Sequence, residues 1–261
     1  MTTPENSPEI GREITAAGYR TNVHDHGADN AKSDVPVMMI HGSGPGVTAW
    51  ANWRLVIPEL AKNRRVVAPD MLGFGYTERP EDNTYNRERW VAHAIGVMDA
   101  LDLEKVNLVG VSFPITEGLD EVWGYEPSLE NMRRLMDVFA FNKGLLTDEL
   151  AEMRYQASIR PGFQESFAAM FPAPRQRWVD NLASREEDIR ALPHETLILH
   201  GREDEVIPLE ASLKLAELID RAQLHVFGRC GHWTQIEHAD RFARLVNDFL
   251  NEADQAAEGA E

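Results

Sequence analysis

One cysteine, Cys230, stands in a chain of 261 residues. That scarcity excludes an intramolecular disulfide framework and points to a reducing compartment. Basic residues are also in deficit: 26 lysines and arginines face 43 aspartates and glutamates, a formal net charge of −17. A surface of that sign disfavours nucleic acid and anionic membranes as partners. No apolar run approaches the length of a membrane span. The polar, acidic start from Met1 to Glu9 lacks the apolar stretch of a secretory signal. No internal repeat is present. A soluble cytoplasmic protein is therefore expected. Hydrophobic residues make up 43% of the chain, enough to fill the core of one large α/β domain with an inserted cap.

What is present alternates between short apolar runs and helical spacing. Arg12 to Thr15 and Tyr19 to His24, turning at Gly18, read as a hairpin. Val35 to Ile40, Arg65 to Ala68 and Val106 to Val109 read as buried strands. Between them, Trp50 to Ala61 has helical spacing, and Asn86 is placed to cap a helix running to Leu101. From Glu117 to Leu192 the pattern is helical, with Ser128 and Thr147 as N-caps and no convincing strand. Strand signals resume at Thr196 to His200 and Gln223 to Phe227, separated by a helix at Leu209 to Ile219. A final helix covers Ala239 to Asn251. These readings divide the chain into a first core part at 1–112, a helical cap at 113–193, a second core part at 194–251 and a disordered tail at 252–261.

Three residues that can carry chemistry follow strand ends: Ser112 in Gly110-Val111-Ser112-Phe113-Pro114, Asp204 in Gly-Arg-Glu-Asp, and His232 in Cys-Gly-His-Trp. The order serine, acid, histidine is that of α/β-hydrolases, where a sharp strand-to-helix turn exposes the serine. The C-terminal edge of an open α/β sheet is also where ligands bind. In such a site imidazole takes the serine proton, and the carboxylate holds the imidazole tautomer. Backbone N–H groups receive the developing oxyanion. Ser43, in the glycine-rich stretch His41 to Gly46, and Phe113, after the serine, are the candidate donors. His41 itself reads as loop architecture. His24, His26, His93, His194, His225 and His238 share no metal-ligand spacing.

The stretches HGSGPGVTAWANWR, VVAPDMLGFGYTERP, EGLDEVWGYEPS, RYQASIRPGFQESF, ETLILHGREDEVIP and HVFGRCGHWTQIEH resemble the meta-cleavage product hydrolases. The resemblance runs from Gly11 to about Leu250. It implies an α/β-hydrolase fold, a mostly parallel sheet with flanking helices and an inserted helical cap. It further implies hydrolysis of a carbon–carbon bond in 2-hydroxy-6-oxo-2,4-dienoates such as 2-hydroxymuconic semialdehyde, within aromatic catabolism. Carried over residue by residue, Asp204 and His232 match the triad acid and base, and Ser43 matches the oxyanion loop. Asn52, Arg160 and Trp233 match positions that line the dienoate site. An arginine suits that role, because a guanidinium grips a carboxylate with two donors. No metal or organic cofactor is implied. The partners implied are a small carboxylate substrate and further copies of the chain.

The chain departs from this family at one place. Relatives carry about thirty more residues between Gly110 and Glu117, whereas six remain here, and a parallel crossover needs a dozen or more. One core helix and one strand are therefore expected to be missing. Pro114 also replaces the last glycine of Gly-x-Ser-x-Gly. Two alignments stay open. In one, Ser112 is the nucleophile and the loss follows it. In the other, the loss takes the serine turn, and Val111 to Thr116 belong to the loop leading into the cap. The alternative function is then a scaffold that binds dienoate without a working nucleophile.

Overall fold

The computed structural model describes residues 7–110 and 122–258, and these form two compact units. One unit contains residues 7–110 with Arg154–Pro172, and the other residues 122–153 with 173–258. Ser112 and Phe113 lie outside the described residues.

In the first unit a five-stranded sheet has the order β1-β2-β4-β3-β5. Its strands are β1 (Arg12–Ala16), β2 (Tyr19–His26), β3 (Val37–Ile40), β4 (Val66–Pro69) and β5 (Asn107–Gly110). β1 and β2 form the expected hairpin, and β2 runs antiparallel to β4. The other two pairings, β3 with β4 and β3 with β5, are parallel. β3 and β4 are almost wholly buried, as their unbroken apolar sequence requires for interior strands. Helix α3 (Arg87–Ala100) covers one face, starting where the Asn86 side chain accepts from the Arg89 amide at 2.8 Å. Val97 shares a core cluster there with Met38 and Val67, and Ala94 and Met98 pack against that cluster.

The helical spacing of Trp50 to Ala61 resolves into two short helices, α1 (Ala49–Trp53) and α2 (Ile57–Leu60). Pro58 is the cause. It has no N–H and cannot continue a helix from the preceding turn, but it fits the first turn of a new one.

β5 differs from its neighbours. Leu108 is the register partner of Met38 and points to the same side of the sheet. Met38 is 1% exposed and Leu108 is 68% exposed. On α3, Val91 and Ile95 are also about half exposed. They lie one turn apart, on the flank opposite His93, whose ring bonds Thr21 of β2. Among the described residues β5 pairs with no strand other than β3. This is the side of the sheet on which the sequence reading expects a strand and a helix to be missing.

The second unit holds a separate parallel pair, β6 (Thr196–Gly201) and β7 (Ala222–Phe227), in register from Thr196–Ala222 to Gly201–Phe227. The apolar residues Leu197 to Leu199 are only half buried, unlike those of β3 and β4. In chain order, the helices between β5 and β6 are α4 (Leu129–Phe139), α5 (Asp148–Ser158), α6 (Phe163–Met170), α7 (Gln176–Leu182) and α8 (Glu186–Arg190). Ser128 and Thr147 cap α4 and α5 as expected. Residues 154–172 of this region pack with the first unit and the rest with the second. α9 (Leu209–Leu218), α10 (Thr234–Glu237) and α11 (Ala239–Glu258) complete the unit. α11 runs through residues 252–258, which the sequence reading assigns to a disordered tail. That stretch is rich in alanine, glutamate and glutamine, all good helix formers, and simply prolongs the turn before it.

Candidate active site

β6 and β7 end side by side, and each delivers one functional side chain from the turn that follows it. Gly201 allows the close approach: a Cβ there would meet the Gly231 carbonyl oxygen at 2.0 Å. His232 Nδ1 lies 3.0 Å from Asp204 Oδ2. Asp204 Oδ1 accepts from the amides of Val206 and Ile207 at 2.8 and 2.9 Å. Burial alone would raise the Asp204 carboxyl. The hydrogen bond and charge of His232 and the two amides outweigh it and hold the group below the usual carboxylate range. An ionised carboxylate only accepts, so His232 Nδ1 carries the proton and Nε2 is left as the basic nitrogen.

The histidine turn is clamped from three directions. Its own amide donates to the Phe139 carbonyl at 2.8 Å. Glu237 takes the Gly231 amide on one carboxylate oxygen and the Asn142 amide on the other, each at 2.7 Å. Glu203 Oε2 accepts from the Cys230 amide at 2.9 Å, tying the histidine turn to the acid turn. Phe139 stacks on Trp233, with ring centres 5.0 Å apart, and lies 5.3 Å from the His232 ring. Sequence reading singles out Trp233 but not Glu203, Glu237 or Phe139. Two acidic residues in a chain so rich in them carry no local signal. The thiol of Cys230 is buried, and that burial pushes it up to about 12.

In the first unit, His41 Nε2 accepts from the Met71 amide at 2.9 Å, so Nδ1–H donates to the Gly42 carbonyl at 2.7 Å. Burial lowers its pKa and keeps it neutral. It is therefore a structural pin for the glycine-rich loop that carries Ser43. In the same loop Gly46 adopts a φ of 66°, and a Cβ there would strike the Arg154 carbonyl. The Thr48 hydroxyl caps α1, and Asp70 accepts from the Ala49 amide at 2.6 Å. This places Asn52 on a fixed helix. Asn52 is buried, and its Nδ2 amide has no hydrogen-bond partner among the described residues. The Arg160 guanidinium lies 3.8 Å over the Tyr76 ring and donates to the Gly75 carbonyl, and its Nε has no partner among the described residues. Asp204, His232 and Trp233 thus belong to one compact unit, and Ser43, Asn52 and Arg160 to the other. Among the described residues no cluster of three or more histidine, cysteine or acidic side chains could hold a metal ion.

Comparison with known proteins places these elements in context. The alpha/beta hydrolase fold family matches residues 35–113 and 127–239. A 2-hydroxymuconate semialdehyde hydrolase of Pseudomonas sp. strain CF600 is 67% identical, over 98% of this chain and 99% of its own. A 2-hydroxy-6-oxo-2,4-heptadienoate hydrolase of Pseudomonas putida is 59% identical, over 93% and 96%. Among solved structures, a meta-cleavage product hydrolase from Pseudomonas fluorescens IP01, a serine-to-alanine mutant complexed with acetates, is 58% identical. It has a TM-score of 0.90 over 95% of this chain and all of its own. The alignment with the first relative spans 286 positions against 261 residues here, so at least 25 positions have no counterpart in this chain (286 − 261). The family match breaks between 113 and 127, directly after β5.

Proposed function

The chain belongs to the meta-cleavage product hydrolases of the α/β-hydrolase fold, and from that premise we propose that it hydrolyses a carbon–carbon bond in a 2-hydroxy-6-oxo-2,4-dienoate of monocyclic aromatic catabolism. The observation that carries the reading is the His232–Asp204 pair, 3.0 Å apart at the ends of adjacent parallel strands. With Nδ1–H committed to Asp204, His232 Nε2 is the base that takes a proton from a hydroxyl or a water. Ser112 is the nucleophile we assign. The family match runs unbroken from residue 35 through 113 and so includes both Ser112 and Phe113.

The dienol is first ketonised. Oxygen then adds to the distal ketone, and backbone amides of Ser43 and Phe113 receive the oxyanion. The tetrahedral adduct breaks the carbon–carbon bond, the imidazolium returns its proton to the departing carbon, and water deprotonated by His232 then hydrolyses the acyl-serine to free the acid and Ser112. Arg160 grips the substrate carboxylate, its planar group already fixed over Tyr76. Asn52 and Trp233 are assigned to substrate binding from the family resemblance.

The partners are a small carboxylate and further copies of this chain, rather than nucleic acid or a membrane. Among the described residues no helix is long and apolar enough to cross a membrane. A cytoplasmic location suits the one buried free thiol. The test is the loss of the yellow absorbance of 2-hydroxy-6-oxohepta-2,4-dienoate. The protein should bleach it, and Ser112→Ala should slow bleaching by about a thousandfold or more. Bleaching unchanged by the substitution removes Ser112 as nucleophile. No bleaching by either protein removes turnover of this dienoate and leaves the His232–Asp204 pair without a working nucleophile.

A further inference from the structure

A second histidine stands behind the acid. His200, the penultimate residue of β6, is buried, as is Ser212 in the first turn of α9. His200 Nε2 is 3.1 Å from the Ile207 carbonyl oxygen, and Nδ1 is 2.7 Å from Ser212 Oγ. A carbonyl only accepts, so Nε2 carries the hydrogen. Nδ1 therefore accepts from the serine hydroxyl, and the tautomer is fixed from both sides. The same Nε2 lies 4.0 Å from Asp204 Oδ2.

We infer that His200 is a positioning residue for Asp204, an assignment that rests on the triad reading above. Its N–H holds the carbonyl of Ile207, the residue whose amide holds Asp204 Oδ1. His200 thus closes a ring that joins the strand end, the acid turn and α9. Its N–H edge also presents a positive hydrogen beside Oδ2, the oxygen that His232 engages. A neutral ring gives the carboxylate this dipole without a second full cation competing with His232. Burial, the largest influence on His200, lowers its pKa and favours that neutral form. The sequence gives no hint of this, because a histidine one residue before the strand's end reads as one more half-buried strand residue.

The experiment compares His200→Gln with His200→Asn in the resting, full-length protein. Glutamine reaches the Nε2 position and can donate to Ile207. Asparagine reaches only as far as Nδ1 and can keep the Ser212 contact alone. The readout is the low-field proton resonance of His232 Nδ1–H, which reports its bond to Asp204. The resonance should move upfield or broaden by solvent exchange in His200→Asn and return in His200→Gln. The kcat for dienoate should fall about tenfold or more in the asparagine variant, with little change in KM. A resonance unmoved in both variants, or moved equally in both, overturns the assignment. The resonance needs no turnover, so an inactive protein tests His200 independently of the proposed reaction.

Discussion

Met38 and Leu108 are register partners on neighbouring parallel strands, and replacing each by alanine separates two views of β5. If β5 were an interior strand covered on that side, the two truncations would cost alike. Met38 is 1% exposed, so Met38→Ala removes fully buried atoms and leaves a cavity, a loss of about 2–5 kcal/mol. Leu108 is 68% exposed, so only about a third of its surface contributes. Full burial of a leucine stabilises by about 1.5–3 kcal/mol, so Leu108→Ala should cost about 0.5–1 kcal/mol. Urea unfolding followed by tryptophan fluorescence reads the difference. With a slope of about 3 kcal/mol per molar, Met38→Ala should move the midpoint by about 1 M and Leu108→Ala by about 0.3 M or less. Leu108→Lys should leave the midpoint in place and reduce aggregation, because a charge on an open strand edge opposes edge-to-edge pairing. Equal losses for the two alanine variants would refute the open-edge reasoning and place a cover over Leu108.

Asp204→Asn should retain the fold and lower kcat by about four orders of magnitude, the loss expected when a base is held in the wrong tautomer. A loss under tenfold in steady-state turnover would separate Asp204 from the chemistry. His93 is buried in the first unit, and burial, with a smaller contribution from His41, holds its pKa at about 4 against 6.5 when free. The unfolded chain therefore takes up the proton first, and stability falls as pH drops from about 6.5 to 4, by up to about 3 kcal/mol. His93→Gln should flatten that part of the pH dependence in urea midpoints measured at pH 7 and 4.5, and an unchanged slope would exclude His93 as its source. Arg160→Lys keeps the charge and loses the planar fork over Tyr76, so KM for the dienoate should rise about tenfold with kcat less affected. An unchanged KM would remove Arg160 from substrate binding.

The features legible in the sequence were those set by local pattern. Apolar runs ending in glycine-rich turns located β3, β4, β6 and β7, and the same turns pointed to Asp204 and His232. Asn86, Ser128 and Thr147 announced their helices, because a cap is a contact within three residues. The impossibility of a parallel crossover in six residues is the ground for expecting a strand to be missing beside β5, whose partner among the described residues is β3 alone. Features set by distant contacts were not legible. Glu237 reaches the amide of Asn142, 95 positions away, and Glu203 reaches Cys230, 27 away. His200 acquires its meaning only through Ile207 and Ser212. The break of the first helix at Pro58 had a local signal, which the apolar periodicity around it outweighed in the reading.

Among the described residues, the groups that build the acid–base pair all lie outside the stretch where the family match breaks. Every group shown to orient His232 and Asp204 lies between Phe139 and Glu237: the Phe139 carbonyl, the Glu203 and Glu237 carboxylates, and the amides of Val206 and Ile207. The family match breaks between 113 and 127, before all of them. The break falls beside the serine assigned as nucleophile, while His232 keeps its partner Asp204 among the described residues. That division makes the two measurements complementary. The His232 resonance reports whether the base is poised, and bleaching of the dienoate reports whether a nucleophile meets it. A sharp low-field proton in a protein that bleaches nothing would locate the whole defect at the residues between β5 and α4.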